Sequence, residues 1–497
     1  MLQAKPPFRF SSFQANLISL VAVGAFMAAL LVLSIGYRQT SLGILVLAGL
    51  SAIGLGVVGL IRPQLGAYIL VVSVFTNASS LLTDQGWPSL NKPLIALVFI
   101  SIVAHHFFYQ APLLPLKRTE LFMLAYGGVW LISLFVALDR VTVVGRVFDF
   151  GKDFILLLCV VYPLASRPHA WRQAVWLVII AAAVLAGLGA YQVLSGNTAQ
   201  TFFNFSKFVQ GQIAEGMEDQ GRLSGPLDDP NFYGQILVAV LPLAVYRILG
   251  ERRFGLKLSA GLATLLLVFA IFNTYSRGAF LTMLLILSLI AVERRVNLSL
   301  LVLIVLITLI MRQVLPTGFA ERLETLSIFT NKEASVHEDV SFRGRSSEML
   351  TSLNIFAEHP VLGVGVGNYT HHYQDYAGRL GLERRTEPRQ AHSLYLEIAA
   401  ETGLLGLLTF GGLIVSLLSE LAQARRKLNT LPGQGYWATW IVSLQMSVIA
   451  YLVSSVFLHG DYLRYLWLFV ALGVAMIHLA NYLTKPAPSQ LASGVNP

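Results

Sequence analysis

The sequence predicts an all-α, polytopic integral membrane protein with about fourteen transmembrane helices. Three observations predict it. Hydrophobic residues fill 55% of the 497 positions against 12% charged, and the mean hydropathy of +0.67 excludes the three soluble domains that length alone would suggest. Apolar runs long enough to cross roughly 30 Å of hydrocarbon recur between residues 14 and 483, and a backbone without water must close its own hydrogen bonds as helices. The one cysteine, Cys159, lies in an apolar run with no partner, which excludes a disulfide-stapled secreted scaffold.

Hydropathy places the first seven helices near 14–35, 41–61, 65–82, 93–111, 119–137, 146–165 and 171–193. Seven more follow near 232–249, 256–274, 277–293, 297–315, 404–421, 436–458 and 463–483. The first, preceded by Lys5 and Arg9, is too long for a signal-peptide core and reads as a retained anchor. With the N-terminus in the cytoplasm, Arg62, Lys117, Arg118, Arg167, Arg172, the Arg252–Lys257 cluster, Arg294, Arg295, Arg425–Lys427 and Lys485 all fall on the inner side. That is the arrangement the positive-inside rule demands. The net charge of +9 is therefore a topology signal first, and nucleic acid is not expected as a partner.

The same topology divides the chain into transmembrane helices at 1–193, an outward-facing loop at 194–231, helices at 232–315, an extracytoplasmic loop domain at 316–403, helices at 404–483 and a cytoplasmic tail at 484–497. The segment from about 312 to 403 carries about a third of all charged side chains and half of the ten histidines, a composition that lipid does not tolerate. Function is expected on this outer face.

Three outward stretches hold the candidate chemistry. The run Gly221-Arg222-Leu223-Ser224-Gly225-Pro226-Leu227-Asp228-Asp229-Pro230-Asn231 is a tight polar turn in which Asp229 or Asn231 can cap the next helix, leaving Arg222 to face the membrane surface or a cavity. Asn273-Thr274-Tyr275-Ser276-Arg277-Gly278 joins two apolar runs with almost no loop and holds Arg277 at the outer edge of the bilayer, where no topology rule asks for an arginine. The outer domain supplies Gly344-Arg345, then His359-Pro360-Val361-Leu362-Gly363-Val364-Gly365-Val366-Gly367-Asn368, then Ala391-His392-Ser393-Leu394-Tyr395. No strand-turn-helix unit surrounds these glycines, so they read as a close-packed turn rather than a dinucleotide site.

His392 lies at the start of a helix, where the helix N-terminus and nearby arginines both disfavour imidazolium, so the ring is expected to be neutral at pH 7 and able to accept a proton. Glu397 is a potential orienting partner, although five residues along a helix is not one face. His337, His359, His371 and His372 match no metal-ligand spacing, and neither a metal nor a cofactor is expected. Arg140, Arg146, Asp149, Lys152 and Asp153 have spacings that permit local ion pairs, for example Arg146 with Asp149, or a supplementary anion contact. Arg146, Arg345, Asn231 and Tyr395 are the candidate substrate-binding residues.

In this order, the Arg222 turn, Ser276-Arg277-Gly278, Gly344-Arg345, His359-Pro360-x-Leu362-Gly363-x-Gly365, and His392 before Glu401-Thr402-Gly403-Leu404-Leu405-Gly406, the sequence resembles the O-antigen ligase and Wzy polymerase superfamily. The resemblance is strongest over about 220–421. It implies a GT-C-like fold of about twelve helices, giving a range of 12–14, in the bacterial inner membrane with both termini cytoplasmic. It also implies a periplasmic site that transfers a glycan from undecaprenyl diphosphate to an acceptor hydroxyl. In that scheme Arg222 and Arg277 bind the diphosphate and His392 is the base. The family often has Asn after the histidine and Trp four residues after Gly-Arg, where this chain has Ser393 and Met349.

A single displacement on such a donor inverts the anomeric centre, and guanidinium groups stabilise the leaving diphosphate without a metal. The expected partners are the lipid-linked donor, a glycan or lipid A core acceptor, membrane lipids and, as a candidate, a chain-length regulator. A Wzy-type polymerase making O-antigen or exopolysaccharide is the first reading. An O-antigen ligase, or a ligase glycosylating protein, is the second. A small-anion transporter is the reading from another class; it needs polar groups deep in the bundle, for which His105 and His106 are the nearest candidates.

Overall fold

A computed structural model of the protein describes residues 62–110, 113–209, 221–295, 340–382, 389–460 and 463–484. The helices expected near 14–35, 41–61 and 297–315 lie outside the described residues. The first described helices are α1 (Pro63–Phe75), α2 (Ala78–Asp84), α3 (Asn91–Tyr109), α4 (Arg118–Ile132), α5 (Arg140–Leu164) and α6 (Pro168–Ser195). A hairpin of β1 (Lys207–Val209) and β2 (Arg222–Gly225) leads into α7 (Pro230–Gly250), α8 (Phe254–Asn273) and α9 (Arg277–Glu293). Next come α10 (Val340–Glu358) and α11 (Tyr369–Arg379), and α12 (Leu394–Asn429), α13 (Gly435–Ser454) and α14 (Leu463–Leu483) follow. The protein is an all-α polytopic membrane protein. Among the described residues seven helices are long and apolar enough to span a bilayer, and the bent pair α1–α2 makes an eighth if it counts as one span.

Two expectations are corrected here. The single helix expected over 65–82 breaks into α1 and α2 with a bend of 61°. Asn77 sits at the break with φ +57°, a left-handed conformation that asparagine tolerates, and its side-chain amide donates to the Pro226 carbonyl at 3.1 Å. The short antiparallel hairpin was not expected from the sequence; Val209 faces Arg222 in its register. It fixes Arg222 in a strand rather than a flexible turn.

The centre of the bundle is α7 and α14, most of whose residues are buried, and Trp467 of α14 is fully buried together with Trp171 of α6 and Trp440 of α13. The periphery is the reverse. Phe107 and Phe108 of α3 are 75% and 81% exposed, as a lipid-facing surface requires. Basic connections gather at one end: Arg425 pairs with Glu293 at 2.7 Å, the Arg118 amide donates to Glu420 at 3.2 Å, and Tyr436 donates to Glu251 at 2.9 Å while the Arg172 guanidinium lies 5.3 Å from the Tyr436 ring. The hairpin and the α8–α9, α11–α12 and α13–α14 junctions lie at the other end.

At that second end α12 is broken. Gly403 has φ +64° and ψ −158°, which interrupts the helical hydrogen bonds and orphans backbone groups on both sides. The glycine-rich loop from Pro360 to Gly367 satisfies them. Val364 and Gly365 amides donate to the Ala400 and Glu401 carbonyls at 3.0 and 2.9 Å, and the Leu404 and Leu405 amides donate to the Pro360 and Val361 carbonyls at 2.8 and 3.3 Å. The Glu401 carboxylate then accepts the Gly367 and Tyr369 amides at 2.8 and 3.2 Å. Glycine is required at the crossing because a Cβ on Gly403 would lie 2.4 Å from the Val361 carbonyl carbon, and one on Gly363 would lie 2.3 Å from that of Glu401.

Gly403→Ala is therefore expected to destabilise the protein by at least about 1–3 kcal/mol from backbone strain alone. Gly411→Ala, on the same helix with open space around it, is the control. Thermal unfolding in detergent reads both. Equal melting temperatures for the two variants would contradict the assigned crossing.

Candidate active site

The site is built from the hairpin, the α8–α9 turn and the start of α12. Asp229 caps α7, its carboxylate accepting the Asn231 amide at 2.6 Å, so the Asn231 side chain is available for another task. Its Oδ1 accepts from Arg222 Nη2 at 3.0 Å, while Arg222 Nε donates to the Thr274 carbonyl at 3.0 Å. Thr274 lies three residues before Arg277, the first residue of α9, whose cap is Ser276. Arg222 and Arg277 are thus at the same end of the bundle, tied through one turn. Close packing makes this achievable: Gly234 of α7 faces Ala279 of α9, where an added Cβ would come within 2.7 Å of the Ala279 methyl. The Arg222 guanidinium is thereby held at the turn that opens α9, whose first residue is Arg277, and the positive end of a helix lies there as well.

His392 stands immediately before the Ser393 cap of α12, at φ +47°. Its Nδ1 lies 3.2 Å from the Gln390 carbonyl and 2.9 Å from Glu348 Oε2, the latter a close polar contact rather than an aligned hydrogen bond. Both neighbours are acceptors, so the proton of the neutral ring belongs on Nδ1, leaving the lone pair on Nε2. Glu348 is 1% exposed on α10, and Arg389 Nη1 approaches its other oxygen at 3.5 Å. The carboxylate beside His392 is therefore Glu348. Glu397 instead accepts the Gly460 amide at 2.5 Å.

The arginine pair and His392 communicate through the Ser455–Gly460 segment between α13 and α14. The His459 ring is 5.4 Å from that of His392 and 5.0 Å from that of Phe232, which follows Asn231. Phe457 packs beside Gly278, next to Arg277, where an added Cβ would meet it at 3.6 Å. Neither Glu348 nor His459 was singled out by the sequence. A glutamate three residues after Arg345 on an otherwise polar helix carries no burial signal, and His459 follows an apolar run whose end reads as a plain helix terminus.

The remaining candidates separate. Arg345 is half-buried on α10, on the turn before Glu348. Tyr395 commits its hydroxyl to the Leu452 carbonyl at 2.7 Å, which joins α12 to α13 beside the site. The expected Arg146–Asp149 pair does not form: Asp149 pairs with Lys152, an equal three-residue spacing, and Arg146 turns toward the glycine loop at Gly367. Asp139, the cap of α5, receives the Asn368 clamp and is held below the usual aspartate range first by the Thr142 hydroxyl and then by the Thr142 amide. With a folded value below the unfolded one, its contribution is full above the ordinary aspartate range and is lost as pH falls through the lowered value. His371 lies 3.6 Å from Asp139, and His105 Nδ1 bonds the Ser101 carbonyl of its own helix at 2.7 Å.

Residues 262–411 match the Wzy_C family model, described as O-antigen ligase. That segment is similar to the O-antigen ligase family. The Wzy_C segment opens within α8 and ends within α12, so it contains Arg277, Arg345, Glu348, the glycine loop, His392 and the Gly403 crossing. Arg222 and His459 lie outside it in sequence, yet the fold holds Arg222 on Thr274 and His459 beside His392. No curated protein matches the chain.

Proposed function

We propose that this protein is a glycosyltransferase of bacterial surface-polysaccharide assembly. It moves a glycan from undecaprenyl diphosphate to an acceptor hydroxyl at the periplasmic face of the inner membrane, as a Wzy-type polymerase, with both termini in the cytoplasm. The observation that carries this reading is the tie of Arg222 to the Thr274 carbonyl, which sets a second guanidinium beside Arg277 at the end of the bundle where His392 stands. His392 Nε2 takes the proton of the acceptor hydroxyl as its oxygen forms a bond to the anomeric carbon. The bond from that carbon to the diphosphate oxygen breaks with its electron pair, and the charge gathered on the leaving group is met by Arg222 and Arg277. One displacement inverts the anomeric centre. Guanidinium forks take the role that a divalent cation has in other diphosphate chemistry, so transfer is expected to proceed in the presence of a chelator.

Within this scheme Asn231 orients Arg222, Glu348 holds the tautomer of His392, and Arg345 and Tyr395 shape the substrate-facing surface. The description of the matching family as O-antigen ligase favours a second reading, attachment of finished glycan to lipid A core. Purified protein given undecaprenyl-diphosphate-linked repeat units, with and without lipid A core, separates them. Lengthened lipid-linked glycan marks a polymerase, glycan on the core marks a ligase, and neither product with an intact donor overturns the proposal.

A further inference from the structure

We propose that the cavity around Arg146 is a subsite for a sugar ring of the acceptor glycan; this rests on the transfer reaction proposed above and adds where the acceptor is held. Arg146, Glu397, Glu401, Tyr126 and Trp130 line a cavity closed on another side by Leu394 and Gly460. Its position relative to the base is fixed by the chain. Leu394 is two residues beyond His392, and Gly460 follows His459, the ring that packs against both His392 and Phe232. His392 is thus flanked by the arginine pair through Phe232 and Asn231, and by this cavity through Leu394. In a single displacement the acceptor oxygen lies between the base and the anomeric carbon, so the acceptor ring must be held close to His392 and clear of the diphosphate.

The lining suits a polyhydroxylated ring. Arg146 has neither a hydrogen bond nor an ion pair among the described residues, although its five N–H groups are obligate donors. It is nonetheless held: the glycine loop crosses its stem at Gly367, where a Cβ would lie 3.3 Å from Arg146 Cγ and Nε. The two carboxylates are anchored on backbone amides, Glu397 on Gly460 and Glu401 on Gly367 and Tyr369, which fixes them as acceptors in the wall of the cavity. Planar donors and acceptors that share one cavity with the Tyr126 and Trp130 rings match the alternating hydroxyls and the C–H face of a pyranose. A second diphosphate is disfavoured because two carboxylates share the cavity with one cation.

The test uses the full chain in detergent or nanodiscs. Its probes are the lipid-linked donor and, as acceptor, the repeat-unit oligosaccharide released from the producing cell's own surface polysaccharide. In Arg146→Gln, which keeps a hydrogen-bonding amide but loses the charge and the reach of the guanidinium, the acceptor KM is expected to rise about tenfold or more while the donor KM moves less than about twofold. Arg146→Lys should fall between. Direct binding of the oligosaccharide to the wild-type protein, lost in Arg146→Gln, gives the same answer without turnover and serves if that variant is inactive. An unchanged acceptor KM with active protein, or a raised donor KM instead, overturns the subsite. Absence of transfer by the wild-type protein would instead strike the proposed function itself.

Discussion

Arg277→Ala lowers transfer from a lipid-linked diphosphate donor by about 10²–10³-fold, the loss expected when one charge-stabilising group is removed from a developing anion. Arg222→Ala is expected to do the same. Because both guanidinium groups meet one leaving group, the double variant should lose less than the product of the two single effects. Lysine at either position keeps the charge but gives up the planar fork, so an intermediate loss is expected. Initial rates of product formation with saturating donor measure all five proteins, and size-exclusion profiles in detergent check that each remains folded. Turnover at the wild-type rate in either alanine variant would remove the paired-arginine scheme. The geometry favours a selective effect: the Thr274 carbonyl and Asn231 Oδ1, which Arg222 releases, lie at the end of the bundle rather than in its apolar centre.

Much of this arrangement was legible in the sequence for a simple reason. In a chain whose lipid-facing surface must be apolar, an arginine outside the inner connections is out of place, and Arg222 and Arg277 stand out for that reason alone. The Gly403 crossing was half legible: the glycines at 363, 365 and 367 announce a close-packed turn, but not that its partner is a break in the helix that begins at Leu394. Spacing failed where two solutions are equal. Asp149 has a cation three residues to either side, and only the packing of Arg146 beneath Gly367 decides that Lys152 takes it. Glu348 was illegible for a different reason. Its helix has the charge pattern of a solvated face, and its burial arises only when α10 settles against the first turns of α12.

That buried carboxylate produces the second large effect. His392→Ala removes the proton acceptor and is expected to lower the chemical step by about 10²–10⁴-fold while donor binding is nearly retained. Single-turnover rates and donor affinity measured on the same protein separate these; a normal single-turnover rate would reassign the base. Glu348→Gln probes the tautomer without removing the ring. A glutamine can turn its amide donor toward Nδ1, which transfers the ring proton to Nε2 and points a hydrogen, not a lone pair, at the acceptor hydroxyl. The rate should then fall by a comparable factor although the volume of the side chain is unchanged. Glu348→Asp keeps an acceptor on Nδ1 and should recover part of that loss. A purely structural role would order these variants differently, since the shorter aspartate packs worse than glutamine in a position only 1% exposed. If Glu348→Asp were the slower of the two, Glu348 would be a packing residue and the proton on Nδ1 would be fixed by the Gln390 carbonyl alone.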